Sequence, residues 1–129
     1  MQYNDGFWNK YADENESRYN EEFSKYVKDL ASSLPTVQSI LEIGCGTGID
    51  LRLFPDSFQL HGIDLNEHAL KIAKEKLSIA NFQKGNITEL PFEDSSIDFV
   101  FTHGLMNYLD DDVLEKGIAE MYRVSKKWI

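Results

Sequence analysis

The chain of 129 residues is short of cysteine and of basic side chains, and each shortage excludes a kind of protein. Its single cysteine, Cys45, cannot form an internal disulfide, which favours a reducing cytoplasm. Thirteen Lys and Arg oppose 22 Asp and Glu, and because this net charge of −9 repels phosphate backbones, we expect no nucleic-acid partner. No apolar run is long enough to span a bilayer, and no basic and then apolar segment marks a signal peptide, so we expect no membrane association.

The most informative segment that is present is Glu42–Gly48, which reads Glu-Ile-Gly-Cys-Gly-Thr-Gly, where an apolar run over residues 37–43 leads into three glycines. Its three alternating glycines allow a sharp backbone bend that a ligand can approach closely. A second apolar run, residues 58–63, ends on Asp64, whose carboxylate could accept both hydroxyls of a ribose. This order predicts a strand, a glycine bend that opens a helix, and a second strand, which is a nucleotide-binding layout.

The details of this layout favour one kind of nucleotide. The dinucleotide pattern G-x-G-x-x-G requires a glycine where this chain has Ile49, because the third glycine comes one position early. Glu42 ends the first strand, where a buried carboxylate needs a partner and would repel a pyrophosphate. S-adenosylmethionine carries an ammonium and a sulfonium but no phosphate. The residues therefore favour S-adenosylmethionine, and a nicotinamide-dependent oxidoreductase is the disfavoured alternative.

Strand and helix patterns alternate along the rest of the chain. Strands are predicted over residues 37–43, 58–63, 81–84, 96–102 and 126–129, and helices over 14–34, 48–54, 66–80 and 110–122. This alternation predicts an α/β fold with a Rossmann-like, doubly wound and mostly parallel sheet. Ligands of such sheets bind at the carboxyl ends of strands, which would bring together Gly44–Gly48, Asp64, Gly85-Asn86 and His103-Gly104.

The length and composition, with 42% hydrophobic and 27% charged residues, indicate a globular chain with a core of its own. We predict one domain over residues 1–129, with an N-terminal aromatic and helical segment (1–35) and a nucleotide-binding core (36–129). A packing face of the first helix is predicted from apolar residues at helical spacing: Tyr19, Phe23, Tyr26 and Leu30. The alternative is that aromatic residues of this segment form a lid over the ligand, with Tyr11 as the best candidate.

With these residues in place, the chain resembles class I S-adenosylmethionine-dependent methyltransferases over nearly its whole length. The family's first motif matches Glu42–Gly48, its second matches Asp64-Leu65, and residues 84–92 match the third, with Asn86 where an aspartate is common. Within the superfamily, the methylase associated with pseudaminic acid biosynthesis is similar in two stretches: Thr102-His103-Gly104-Leu105 and residues 122–129.

The resemblance implies S-adenosylmethionine as the cofactor, S-adenosylhomocysteine as its product, and a role for each matched position. Glu42 would face the methionyl ammonium, and Gly44, Cys45 and Gly46 would lie against the methionyl part and the ribose. Asp64 would accept the ribose hydroxyls, and Leu65 would flank the adenine. The adenine edge would be bound by Gly85, Asn86 and Ile87, and the methyl group would point toward His103 and Gly104. The implied reaction is methyl transfer to a small molecule, such as a sugar or sugar nucleotide, by in-line displacement, for which positioning is the main requirement.

Among side chains that could act as a base, His103 is the one candidate, because histidine titrates near neutrality. A loop histidine, or one that contacts the cofactor through its backbone, is the preferred interpretation, and no catalytic residue is assigned. His61 and His68 are interpreted as surface residues of a strand and a helix. Asp110–Asp112 is interpreted as helix capping rather than a metal cluster, so we expect no metal.

The chain departs from the family at its end. Family members continue through a fifth, sixth and seventh strand, whereas this sequence stops as the fifth strand begins, leaving Trp128 and Ile129 at an open sheet edge. We therefore expect either a fragment or an edge that a partner or a second copy covers. The alternative function is a non-catalytic or truncated S-adenosylmethionine-binding module that forms a homo-oligomer through this edge.

Overall fold

A computed structural model describes residues 3–18 and 20–129, which form four α-helices and five β-strands. In chain order these are α1 (Asp5–Glu14), α2 (Glu21–Ser33), β1 (Ser39–Ile43), β2 (Gln59–Asp64), α3 (Glu67–Lys76), β3 (Asn81–Lys84), β4 (Ile97–Thr102), α4 (Asp111–Val124) and β5 (Ser125–Trp128). Short 3₁₀ helices cover Asn15–Arg18, Ile49–Leu51 and Met106–Tyr108. No helix in these residues combines the length and the apolar character needed to cross a membrane.

The five strands form one parallel sheet in the order β3-β2-β1-β4-β5. The chain order reverses between β1 and β4, which makes their carboxyl ends the switch point where ligands of such sheets bind. Ile43 of β1 pairs with Ile63 of β2 on one side and with Thr102 of β4 on the other. The residues that follow these three positions therefore emerge at the same edge of the sheet.

Apolar side chains cover both faces of the sheet, which confirms the doubly wound fold. Along β1, Ile40 packs on one face, and Leu41 and Ile43 pack on the other, as the two-residue period of a strand requires. The face of Ile40 also holds buried residues of α2 and α3: Val27, Ala31, Leu70 and Ala73. The opposite face is covered by α4 through Met121 and Val124.

Several predicted elements agree closely with the structure. The third strand is confirmed without a shift, and α3 has the predicted N-cap, since the Asn66 side chain accepts a hydrogen bond from the Ala69 N–H at 2.8 Å. The last helix extends two residues beyond the predicted end, to Val124. The other strands differ from the predicted ranges by one or two residues at their ends.

The prediction for the N-terminal helices is wrong in two respects. A helix was not predicted over Asp5–Glu14, where Asn4 caps the first turn by accepting from the Phe7 N–H. The next α-helix begins at Glu21 rather than at residue 14, because Asn20 caps it through the Glu22 N–H. Local capping by asparagine therefore divides a segment that apolar spacing alone joins together.

The predicted packing face of α2 is confirmed at Phe23 and wrong at Tyr26 and Leu30. Tyr26 is 64% exposed and Leu30 is exposed, whereas Val27 and Ala31, one position further along the helix, are buried. One residue corresponds to a rotation of about 100° around the helix axis, so Tyr26 faces solvent where Val27 faces the core. Phe23 is half-buried against the core, and Tyr19 lies outside the described residues.

The helix predicted over residues 48–54 is reduced to the 3₁₀ helix Ile49–Leu51. Hydrogen bonds from the N–H of residue i to the carbonyl of residue i−3 run through the segment as far as Phe54. They join Leu51 N to Gly48 O at 3.1 Å and Phe54 N to Leu51 O at 3.2 Å. This tighter winding replaces the α-helical turn. The glycine bend is therefore followed by a short, tightly wound segment instead of a full helix.

Candidate functional site

The carboxyl ends of β1, β2 and β4 open into a cavity of about 470 Å³, which is within the usual range for small-molecule sites. Every residue that the sequence predicts to contact a cofactor lines this cavity: Glu42, Gly44, Cys45, Gly46, Asp64, Leu65, Gly85, Asn86, Ile87, His103 and Gly104. The fold thus brings all of these positions together. Their binding roles remain predictions.

The glycine bend after β1 is hydrogen-bonded to β2 on one side and open to the cavity on the other. The Gly44 and Cys45 N–H groups both donate to the Ile63 carbonyl of β2, at 2.7 and 3.0 Å. A Cβ at Gly46 (φ +54°) would meet nothing closer than Asn15 Nδ2 at 4.0 Å, whereas a Cβ at Gly48 (φ +80°) would lie 2.9 Å from Phe82 Cζ. Gly46 therefore leaves space for a ligand, and Gly48 allows the bend to pack on the sheet.

Asp64 ends β2 beside this bend. Its Oδ2 accepts from the Gly46 N–H and its Oδ1 accepts from the Asn66 N–H, each at 2.8 Å. Burial raises the pKa of Asp64, while these backbone donors act in the opposite direction. Each carboxylate oxygen can accept more than one hydrogen bond, so both remain able to bind hydroxyl groups.

Glu42 is a buried carboxyl group, and its burial costs free energy. It is 2% exposed, and its Oε1 has no hydrogen-bond partner. Burial raises the pKa of Glu42 well above its usual range, and the neighbouring carboxyl groups of Asp50 and Asp64 raise it further. A buried carboxyl with an unused oxygen calls for a cationic or hydrogen-donating partner.

The charge of the cavity selects for such a partner. Its described lining contains the carboxyl groups of Glu42, Asp50 and Asp64 but no lysine or arginine. This lining repels phosphate and attracts a cation. The residues therefore fit a nucleoside that carries an ammonium group: the bound ammonium would favour the ionised form of Glu42, and Asp64 would accept the hydroxyls. Cys45, whose pKa is raised by burial and by both of these acids, is held as a neutral thiol.

Sequence reasoning missed Asp50, which follows the last glycine of the bend by two residues. Asp50 Oδ1 accepts from Ser24 Oγ at 2.6 Å, and Asp50 Oδ2 lies 2.9 Å from Nδ1 of His103. The His103 ring also stacks on Phe23, with 3.7 Å between ring centroids. An acid so close to the glycines was the available signal, but its partners come from α2 and from the loop after β4.

Aromatic residues of α1 form one wall of the cavity. Trp8 and Tyr11 line it, and the Trp8 ring lies 4.9 Å from the ring of Tyr108, which follows β4. Asn15 joins this wall to the bend by donating to Thr47 Oγ1 at 2.7 Å. The position of Tyr11 is compatible with the predicted lid, which stays a prediction.

The remaining candidate residues lie elsewhere. His61 is half-buried rather than a surface residue, because it packs against Phe92 at 5.5 Å, and burial lowers its pKa. His68 is partly exposed and lies 2.6 Å from Asp13 of α1. Asp110 occupies the N-cap position of α4. Among the residues that the structure describes, no group of three or more His, Cys, Asp or Glu could hold a metal ion.

A parallel sheet with a glycine bend after its first strand, an acid ending the second strand and an acidic cavity at the switch point defines the class I methyltransferase fold. Residues 40–127 match the family model described as a methyltransferase domain, and the chain belongs to this family. Class I methyltransferases use S-adenosylmethionine, so membership implies this cofactor.

Individual relatives agree with this assignment. The chain is 32% identical over 104 residues to a demethylmenaquinone methyltransferase of Renibacterium salmoninarum, covering 79% of this chain and 42% of the relative. It is 29% identical to a malonyl-[acyl-carrier protein] O-methyltransferase of Serratia marcescens, covering 75% and 37%. A crystal structure of a SAM-dependent methyltransferase from Methanosarcina mazei is 31% identical, with a TM-score of 0.66 and coverage of 75% and 51%. The chain thus spans about two fifths of the length of these two curated relatives.

Proposed function

We propose that this chain binds S-adenosylmethionine and supports transfer of its methyl group to a small-molecule acceptor. The observation that supports this most strongly is the unpartnered Glu42 Oε1 in an acidic cavity that also contains Asp64. An ammonium group would compensate Glu42, and ribose hydroxyls would satisfy the free lone pairs of Asp64. Among the lining residues that the structure describes, no other pair combines a need for a cation with a hydroxyl acceptor on the neighbouring strand.

The other lining residues have roles that follow from their positions. Gly46 would let the backbone approach the ribose and the methionyl part, together with Gly44 and Cys45. Leu65, Gly85, Asn86 and Ile87 would surround the adenine, and His103 and Gly104 would lie toward the methyl group. When bound, the cofactor supplies an activated methyl group on a positively charged sulfur. The protein's main contribution to an in-line displacement is then positioning.

The acceptor is proposed to be small because the chain's net charge of −9 disfavours nucleic acid. The resemblance of residues 102–105 and 122–129 to a methylase of pseudaminic acid biosynthesis supports a sugar or sugar nucleotide. The single cysteine supports a cytoplasmic location for this activity.

Calorimetry and thermal unfolding with S-adenosylhomocysteine test the proposal directly. We expect micromolar affinity and a rise in melting temperature, since a ligand at 100 times its Kd stabilises a protein by about 2.7 kcal/mol. NAD⁺ and ATP serve as comparison ligands and should give no rise, because their phosphates face three carboxyl groups. A folded protein that does not respond to S-adenosylhomocysteine or S-adenosylmethionine contradicts the proposal.

A second proposal is a non-catalytic module that forms a homo-oligomer through β5. It is supported by the position of β5 at one end of the strand order, and by Trp128 and Ile129, which are 40% and 55% exposed. Light scattering separates the two proposals when it is combined with a transfer assay. An oligomer without transfer to any acceptor supports this module, and a monomer that transfers methyl groups excludes it.

A further inference from the structure

We infer that His103, held by Asp50, Ser24 and Phe23, is the general base of this site, and that the acceptor is a hydroxyl compound. This inference rests on the proposed methyl transfer but goes beyond it, because it assigns a catalytic residue, its positioning residues and the chemistry of the attacking atom. It is carried by the geometry around His103.

The ring of His103 is restrained on two sides. Asp50 Oδ2 lies 2.9 Å from Nδ1, and the Phe23 ring stacks on the imidazole with an interplanar angle of 22°. Asp50 is itself held by Ser24, whose Oγ donates to Oδ1 at 2.6 Å, and its side chain is only 10% exposed. A buried acid with a second donor cannot easily turn away from the ring.

These contacts decide which nitrogen is available. A carboxylate can only accept hydrogen bonds, so the Asp50 contact assigns the proton of a neutral His103 to Nδ1. Nε2, on the far side of the ring, then carries a free lone pair. The side chain lines the cavity and is 41% exposed, and we infer that Nε2 is the ring atom that meets a molecule in the cavity.

A positioned base matters most for a hydroxyl acceptor, because an amine can attack through its lone pair and lose a proton afterwards. The hydroxyl O–H bond breaks as its proton passes to His103 Nε2, and an oxygen electron pair forms the bond to the methyl carbon. The electron pair of the broken carbon–sulfur bond stays on sulfur. The positive charge therefore moves from sulfur to the imidazolium, where Asp50 stabilises it.

The chain contains a matched control for this arrangement. His68 is also paired with an aspartate, at 2.6 Å from Asp13, and its side chain is 40% exposed, but neither residue lines the cavity. His68→Gln therefore removes an equivalent histidine outside the site. Any effect of losing a surface His–Asp pair should appear in both variants, and any effect of losing the base should appear only in His103→Gln.

The first experiment needs no acceptor. Long-range ¹H–¹⁵N spectra of the labelled protein should show neutral His103 protonated at Nδ1, and Asp50→Asn should alter this tautomer while leaving His68 unchanged. Diethylpyrocarbonate should modify His103, and bound S-adenosylhomocysteine should slow that reaction at least about threefold without slowing the reaction of His68. A neutral His103 protonated at Nε2, or the absence of protection by bound product, overturns the inference.

The second experiment measures transfer of labelled methyl from S-adenosylmethionine to a panel of sugars, a sugar nucleotide and phenols, with matching amines. We expect transfer to a hydroxyl compound, and a loss of about 100-fold or more in His103→Gln but not in His68→Gln. Calorimetry should show that both variants bind S-adenosylhomocysteine within about threefold of the wild type.

The outcomes separate the two proposals. Failure of the wild type to bind S-adenosylhomocysteine removes the proposed function. Binding with equal transfer by His103→Gln, with transfer to amines only, or with no transfer to any compound of the panel overturns the assignment of His103 and leaves cofactor binding in place.

Discussion

The backbone N–H of Gly46 donates to Oδ2 of Asp64 at 2.8 Å, so the acid on the second strand holds the bend that follows the first. The two residues are 18 positions apart in the chain. The bond makes the glycine bend and the proposed ribose acceptor parts of one unit, since a change in Asp64 alters the ligand-binding group and also the backbone next to it.

Replacement of Asp64 by asparagine should therefore reduce both binding and stability. Asparagine offers one acceptor oxygen, so its amide NH₂ would face the N–H of Gly46 or of Asn66. We expect a loss of about 1 to 3 kcal/mol in the free energy of unfolding and at least about tenfold in S-adenosylhomocysteine affinity. Chemical denaturation and calorimetry measure the two effects.

Asn86→Asp is the control for this prediction. Asn86 lines the same cavity, and its Oδ1 accepts from the Thr88 N–H at 3.0 Å, a bond that an aspartate can keep. We expect unchanged stability and equal or tighter binding, because a carboxylate accepts more strongly from the adenine amine. Weaker binding in Asn86→Asp than in Asp64→Asn would contradict the assigned roles.

Replacement of Glu42 by glutamine should stabilise the free protein but weaken its binding of the product. Because the pKa of Glu42 is raised in the folded state, the wild type loses stability as pH rises through the window from the unfolded value, about 4.3, up to the raised value. Glutamine has no such loss and should be more stable at neutral pH by about 1 to 3 kcal/mol. Without the charge it should bind S-adenosylhomocysteine about tenfold more weakly or worse.

Thermal unfolding from pH 4 to 8 checks the first part of this prediction and calorimetry checks the second. The stability difference between Glu42→Gln and the wild type should increase with pH. Glu115→Gln, on the exposed surface of α4, should track the wild type throughout. The idea is wrong if Glu42→Gln is less stable than the wild type at pH 8 or binds the product equally well.

The two glycines of the bend should respond differently to alanine. In Gly48→Ala, a positive φ and a contact of 2.9 Å with Phe82 Cζ should destabilise the fold by about 2 kcal/mol or more. In Gly46→Ala, the new methyl group enters open space, so we expect a loss of about 1 kcal/mol in stability but at least about tenfold weaker product binding. Denaturation and calorimetry on both variants measure these effects. A larger loss of stability in Gly46→Ala, together with weaker product binding in Gly48→Ala, would contradict the prediction.

Asp98, the second residue of β4, should make the protein sensitive to acid. Burial raises the pKa of Asp98, but the N–H groups of Gln38 and Ser39, at 2.8 and 3.2 Å from its Oδ2, outweigh this and lower the pKa overall. The stability that this provides is complete above the unfolded pKa, about 3.9, and is lost as pH falls through the lowered folded pKa.

Asp98→Asn should accordingly cost about 1 to 3 kcal/mol at neutral pH and make the remaining stability less dependent on pH below about 4. Denaturant unfolding at several pH values measures this dependence. Asp56→Asn, in an exposed turn, should leave the curve unchanged. Equal curves for Asp98→Asn and the wild type would show that the backbone bonds add no stability.

Much of the sheet followed from local patterns, and the set of predicted cavity residues followed from those patterns together with the family resemblance. The Asn66 cap was predicted correctly because a capping side chain acts within a few residues, and β3 was located correctly although Phe82 is its one apolar residue. The buried side of α2 was not, because Tyr26 and Val27 are both compatible with helical spacing and only the packing of α2 on the sheet selects Val27.

By itself, the sequence determined the glycine bend, the acids at the ends of two strands and the parallel sheet that brings them to one edge, because backbone freedom and the period of apolar residues are local properties. Only the tertiary structure decided that Asp50 meets His103 and Ser24, that Glu42 keeps an oxygen without a partner, and that α1 closes one wall of the cavity. The two contacts of Asp50 join residues that are 26 and 53 positions apart in the chain, and such hydrogen bonds form only when packing has removed the competing water.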